Sequence, residues 1–326
     1  MIFIVTSVIL FVIGTLSLGL ALYGGVVAQS VKESIEGGTE LRHSAEHRYY
    51  LLGMIGMIVL LSRLLAVPVF FWMLQSLLPY CPGAMCAYGV VNIGSPFSDI
   101  AVSLKILLPF AYGMWLVVEI GNRREPEIPF TRTLADSFLK VLLPLVAVDS
   151  VMDVLTVAAI RPVLAPCCSS VYDVDPPFSP SAILGSEIGW LILMLTIASS
   201  ILLIVLQWTE VWKPSLQIVS LIVAIAVGVL YLFALHDTYA PLVLGLPTHH
   251  CPYCLFQEFP DIALFSALFW IGVASAVWRV ILEMNWSRHG LSLVPLSSMI
   301  TALRKTSSVC VLFSVVSMLS HIALAI

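Results

Sequence analysis

Eight runs of roughly 20 predominantly apolar residues follow one another along the chain, separated by short polar connections. A run of that length matches the hydrocarbon thickness of a bilayer when it is helical. Inside hydrocarbon a backbone must satisfy its own hydrogen bonds, so each run is read as a transmembrane α-helix. The spans fall at approximately 2–28, 50–78, 100–120, 138–160, 183–208, 216–236, 262–283 and 307–326. Charged residues make up 10% of the chain and apolar residues 60%. A soluble domain usually carries about 25% charged residues, so no large water-soluble domain is expected. The fold class expected is all-α: a polytopic membrane helical bundle of about eight helices, forming a single integral membrane domain over residues 1–326. The first run lacks a basic leader and a small-residue cleavage site, and is read as a retained helix.

The connections alternate in basic content. One set holds Lys32, Arg42 and Arg48, then Arg123, Arg124 and Arg132, then Lys213, then Arg288, Arg304 and Lys305. The opposite set, 79–99, 161–182 and 237–261, holds only Arg161. The positive-inside rule assigns the first set to the cytoplasm. An even number of spans then places both termini on the non-cytoplasmic side. The localisation expected is the bacterial inner membrane, with the lipid bilayer as the first partner. Without a basic patch interleaved with aromatics, no nucleic-acid partner is expected.

Six of the seven cysteines fall in the basic-poor connections, two in each: Cys81 and Cys86, Cys167 and Cys168, Cys251 and Cys254. Cys310 sits in the last run and is read as a packing residue. Three chemistries fit cysteine pairs displayed on one face: structural disulfides in an oxidising compartment, thiol–disulfide exchange, and soft-metal binding by thiolates and imidazoles. The richest segment is His249-His250-Cys251-Pro252-Tyr253-Cys254. A C-x-x-C spacing closes a small ring between two sulfurs. A helix N-terminus and neighbouring histidines would favour the Cys251 thiolate. Cys251 is then the attacking sulfur and Cys254 the resolving one, with Cys81 and Cys86, or Cys167 and Cys168, as a relaying pair. On the metal reading the ligands are Cys167, Cys168, His249 and His250.

Cys251-Pro252-Tyr253-Cys254 resembles the active-site tetrapeptide of glutaredoxins, although no βαβ pattern surrounds it. A C-x-x-C at the outer membrane face with a second pair in another outer loop resembles the bacterial disulfide-forming membrane oxidoreductases and the vitamin K epoxide reductase family. Helix number, a third pair and the spacing of Cys81 and Cys86 differ from those families. The resemblance implies a quinone as electron acceptor and a periplasmic thiol protein as partner. The adjacent Cys167 and Cys168 resemble the vicinal cysteines of mercuric-ion transport proteins, which implies a soft metal. The function expected is a membrane thiol–disulfide oxidoreductase. The alternatives are soft-metal transport or delivery, and a non-catalytic, disulfide-stapled subunit among other membrane subunits.

Three ionisable residues fall inside the spans: Arg63 in the second, Asp149 and Asp153 in the fourth. The aspartates are i, i+4 and share one helix face. Charges at this depth normally pair or line a polar cavity. Arg63 is therefore expected to pair with one of the two, in a structural ion pair or beside a proton or quinone path. Lys105 and Glu187, near helix ends, are expected to snorkel to the interface. No phosphate-binding loop or hydrolase motif is present.

Overall fold

The computed structural model describes residues 4–36, 39–125, 129–165, 179–208 and 214–325. Among them every regular element is helical, and eight helices are long and apolar enough to cross a membrane. The chain divides into two compact units, Met1–Pro166 and Cys167–Ile326.

The first unit contains α1 (Val5–Glu36), α2 (Thr39–Leu77), the short α3 (Ala87–Gly94), α4 (Phe97–Asn122) and α5 (Thr131–Ala159), which takes a π-helical turn over Phe138–Leu142. Its four long helices form a ring: α1 packs on α2, α2 on α4, α4 on α5, and α5 back on α1. Short connections make consecutive helices antiparallel neighbours. The inward stripe of α4 shows why this helix lies where it does. Ala101, Leu104, Leu108, Tyr112, Trp115 and Glu119 recur at helical spacing and are buried, whereas Ile106, Leu107 and Ile120 are exposed as lipid would require.

The second unit contains α6 (Ser186–Trp208), α7 (Pro214–Ala234, continued by a π-helical turn Leu235–Tyr239 and by Ala240–Leu244), the short α8 (Pro252–Glu258), α9 (Pro260–Arg288) and α10 (Ser297–Ala325). Its long helices close the same kind of ring: α6 on α7, α7 on α9, α9 on α10, α10 on α6. α9 and α10 approach each other closely at Gly272. A Cβ at Gly272 would lie 2.7 Å from Val311 Cγ2 and 3.1 Å from both the Ser307 carbonyl oxygen and the Val311 nitrogen. Backbone cannot step aside as a side chain can, and small residues are what permit such approach in membranes. Gly272→Leu is therefore expected to lower stability by about 2 kcal/mol through overpacking, read as an earlier thermal transition of the detergent-solubilised chain.

The helix ends depart from the hydropathy boundaries. α1 runs on to Glu36, α2 starts at Thr39 rather than 50, and α10 starts at Ser297 rather than 307. Helices continue past the apolar run because backbone hydrogen bonding does not stop where the hydrocarbon stops. One consequence is that Arg304 and Lys305, expected in a loop, lie within α10.

Candidate functional site

The C-x-x-C segment is built by the end of α7. There the π-helical turn sends the Ala240 N–H to the Leu235 carbonyl. The next donor in line, residue 241, is a proline without an N–H. The His236 carbonyl accepts from outside its helix, from His250 Nδ1–H at 3.0 Å. Gly245, at φ 67°, then closes α7. The Gly245 N–H bonds to Leu242 O at 3.2 Å and the Leu246 N–H to Pro241 O at 3.0 Å, the paired bonds of a Schellman motif. Left-handed backbone of this kind favours glycine. The chain turns back, and the His249 N–H bonds to Leu246 O at 3.0 Å.

Cys251 follows in extended conformation (φ −84°, ψ 109°) as the N-cap of α8, with Pro252 in the first helical position. Its carbonyl accepts the Leu255 N–H at 3.2 Å. Cys254 lies three residues on, one helical turn later, which brings the two sulfurs within 4.8 Å of each other. Their exposures differ. Cys251 is buried at 3% exposure, whereas Cys254 is half-buried. His249 is also buried. The segment thus holds two free thiols close together on a short helix, anchored to α7 through an imidazole.

The other described cysteine pair lies in the equivalent connection of the first unit, between α2 and α4. A 3₁₀ turn (Leu78–Tyr80) leads to Cys81, and Cys86 N-caps α3 as Cys251 N-caps α8. Both Cys81 and Cys86 are buried. Burial pushes the Cys81 thiol up from its ordinary range. A thiol so shifted stays protonated at neutral pH and is a poor nucleophile. The connection is tied down by the Ala165 N–H, which donates to Pro82 O at 2.8 Å. Cys167 and Cys168 lie outside the described residues, so the structure does not place the metal ligands expected there. Among the described residues no disulfide is formed.

The intramembrane charges of the first unit converge. Arg63 on α2 donates from Nη1 to Asp149 Oδ2 at 2.8 Å and lies 3.8 Å from Asp153 Oδ2. Its other nitrogen reaches the Ser150 hydroxyl. Lys105 on α4 bridges both carboxylates, donating to Asp149 Oδ1 at 2.7 Å and to Asp153 Oδ1 at 2.6 Å. All four side chains are at most 2% exposed. Arg63 does meet the aspartates, but as half of a tetrad rather than a pair. The interfacial role expected of Lys105 is corrected: α4 carries it on the inward stripe, and its ammonium also sits 5.1 Å above the Phe70 ring. Glu187 is exposed near the start of α6, as a helix-end residue should be. Two cations and two carboxylates at hydrogen-bonding distance leave this site electrically balanced.

A second buried ionic group joins Arg279, Glu283 and Arg304 beside Gln207. Sequence reading overlooked it, although Arg279 and Glu283 stand i, i+4 inside the seventh apolar run and carried the same signal as the two aspartates.

Compared with known proteins, the chain matches no family model, no curated protein and no solved structure.

Proposed function

We propose that the chain is a membrane thiol–disulfide oxidoreductase whose exchanging couple is Cys251 and Cys254. The observation that carries this reading is the spacing of their sulfurs, within 4.8 Å on one turn of a helix whose approach segment is pinned at His250. Two thiols held so close oxidise to an intramolecular disulfide with little rearrangement, since Sγ atoms separated by one helical turn need only a rotamer change to bond.

The exposures exchange the roles that the bare motif would give. An incoming thiolate must reach the sulfur it attacks, and Cys254 is the more open. In the oxidised couple a partner thiolate attacks Cys254 Sγ. The Cys251–Cys254 bond breaks and Cys251 leaves as thiolate. The partner's second thiolate then attacks the partner sulfur of the mixed disulfide, releasing Cys254. The partner dithiol becomes a disulfide, and the couple takes up two electrons. A quinone dissolved in the bilayer is the oxidant this scheme needs, accepting two electrons and two protons to restore the disulfide. Cys81 and Cys86 are proposed as the relaying pair. Their high-lying thiol at Cys81 suits a sulfur that is attacked rather than one that attacks.

Topology supports one working face. Four spans separate the α2–α4 connection from the α7–α9 connection, so both cysteine pairs open to the same side of the bilayer. The basic-residue bias assigns that side to the periplasm of a bacterial inner membrane, with both termini there as well. The partner is accordingly a soluble periplasmic thiol protein.

The test is mass-spectrometric mapping of cysteine oxidation in the purified chain across a glutathione redox series, with metal analysis of the same samples. Exchange predicts that Cys251 and Cys254 convert together as a two-electron couple at one definable potential, without stoichiometric metal. Cysteines that stay reduced while holding one Cu or Zn per chain would favour soft-metal handling. Bridges that resist reductant throughout would favour stapling.

A further inference from the structure

We propose that the second unit binds a phosphate-type oxyanion among Gln207, Arg279 and Arg304, at the end of the bundle where α6 and α9 finish and α10 begins. Two guanidiniums face one carboxylate there, so the cluster carries one uncompensated positive charge among the described residues. The tetrad of the first unit shows what a self-sufficient arrangement looks like: equal charges, with contacts of 2.6–2.8 Å from cation to carboxylate. In the second unit Glu283 Oε1 stands 3.8 Å from Arg279 Nε and 3.8 Å from Arg304 Nη2, beyond hydrogen-bonding reach of both.

The unmet polar atoms point the same way. Among the described residues, Arg279 Nε, Arg304 Nε, both side-chain polar atoms of Gln207, Glu283 Oε1 and the Ser307 hydroxyl are buried without a hydrogen-bond partner. Gln207, Arg279 and Glu283 are all at least nine-tenths buried. Among the described residues Arg279 donates to the Gln207 carbonyl, at 3.3 Å from Nη1. A buried donor left unmet is costly, and a buried uncompensated charge more so. An oxyanion of one negative charge answers the unmet donors among these atoms, Arg279 Nε, Arg304 Nε and Gln207 Nε2, and its charge balances the excess. The Arg304 side chain is 16% exposed and marks the way in. Arg288 and Lys305 lie on the same helices near this end, and Trp208, whose indole N–H donates to the Ser308 hydroxyl at 2.9 Å, stands beside it. Basic residues with a tryptophan at a helix end are the chemistry of an anionic headgroup layer.

The source of the oxyanion, a phospholipid headgroup or free phosphate, is separated by the probe. The full chain is unfolded thermally in neutral detergent with inorganic phosphate titrated against chloride at equal ionic strength. It is also unfolded in nanodiscs of phosphatidylcholine with and without phosphatidylglycerol. A saturable rise in Tm with phosphate assigns a free anion. A rise confined to phosphatidylglycerol assigns a headgroup. In either case Arg304→Gln is expected to weaken the apparent affinity about ten- to a hundredfold, the worth of a charge-assisted bond, and Glu283→Gln to strengthen it. The proposal is overturned if neither probe shifts Tm beyond its control, or if the shift survives Arg304→Gln unchanged. The wild-type titrations decide the matter even where a variant does not fold.

Discussion

Lys105→Met is expected to destabilise the first unit by about 3–5 kcal/mol, the usual cost of removing one partner from a buried ionic cluster. Met replaces the lysine stem at nearly equal length, so the volume is filled while the ammonium is lost, with its ion pairs and its place over the Phe70 ring. Without Lys105, Asp149 still has Arg63 at 2.8 Å. Asp153 retains only a guanidinium 3.8 Å away and becomes a carboxylate in a low-dielectric interior without a hydrogen bond. The double substitution Lys105→Met with Asp153→Asn leaves one cation and one anion and is expected to recover most of the loss. Thermal unfolding of the two variants beside wild type measures this. A single variant as stable as wild type would show that the tetrad is not needed for the fold.

The second large effect concerns the thiols. Cys251→Ser is expected to abolish turnover, because the Cys251–Cys254 disulfide can no longer form, and to leave Cys254 as the accessible thiolate that captures an oxidised periplasmic partner by attacking its disulfide. Cys254→Ser is expected to abolish turnover without trapping, because the surviving sulfur is buried. Non-reducing electrophoresis of the two variants reads the difference directly. Alkylation of the reduced wild type should follow the same order, Cys254 before Cys251. Equal trapping by both variants would return the attacked position to Cys251. Trapping by neither would remove the couple from exchange.

The eight spans were legible because hydropathy is a one-dimensional property and the bilayer reads it one helix at a time. What was not legible is radial. Lys105 stands five residues into the third apolar run, which suggested an interface. Its depth and direction follow instead from sharing a stripe with Ala101, Leu104, Leu108 and Tyr112. Arg304 was assigned to a connection because its neighbours 297–306 are too polar to read as a span, yet Ser297 begins a continuous helix. The cysteine pairs were legible as pairs, and the N-cap position of Cys251 follows from Pro252 behind it. The contrast in burial between Cys251 and Cys254 was not legible, since it depends on how the segment after Gly245 folds back. The anchoring bond to His236 needed the π-helical turn, which Pro241 marks only in retrospect.

The tetrad also sets an order on biogenesis. Arg63 precedes Asp149 by 86 residues and Lys105 precedes it by 44. At synthesis rates of 5–20 residues per second the arginine leaves the ribosome on the order of 10 s before its carboxylate exists. α2 and α4 therefore enter the bilayer each carrying a bare cation, at an insertion cost of about 3 kcal/mol apiece. Their long apolar runs must carry that cost until α5 arrives. Asp149 and Asp153 are the last members of the tetrad to be made, so neutralisation of both cations waits for α5.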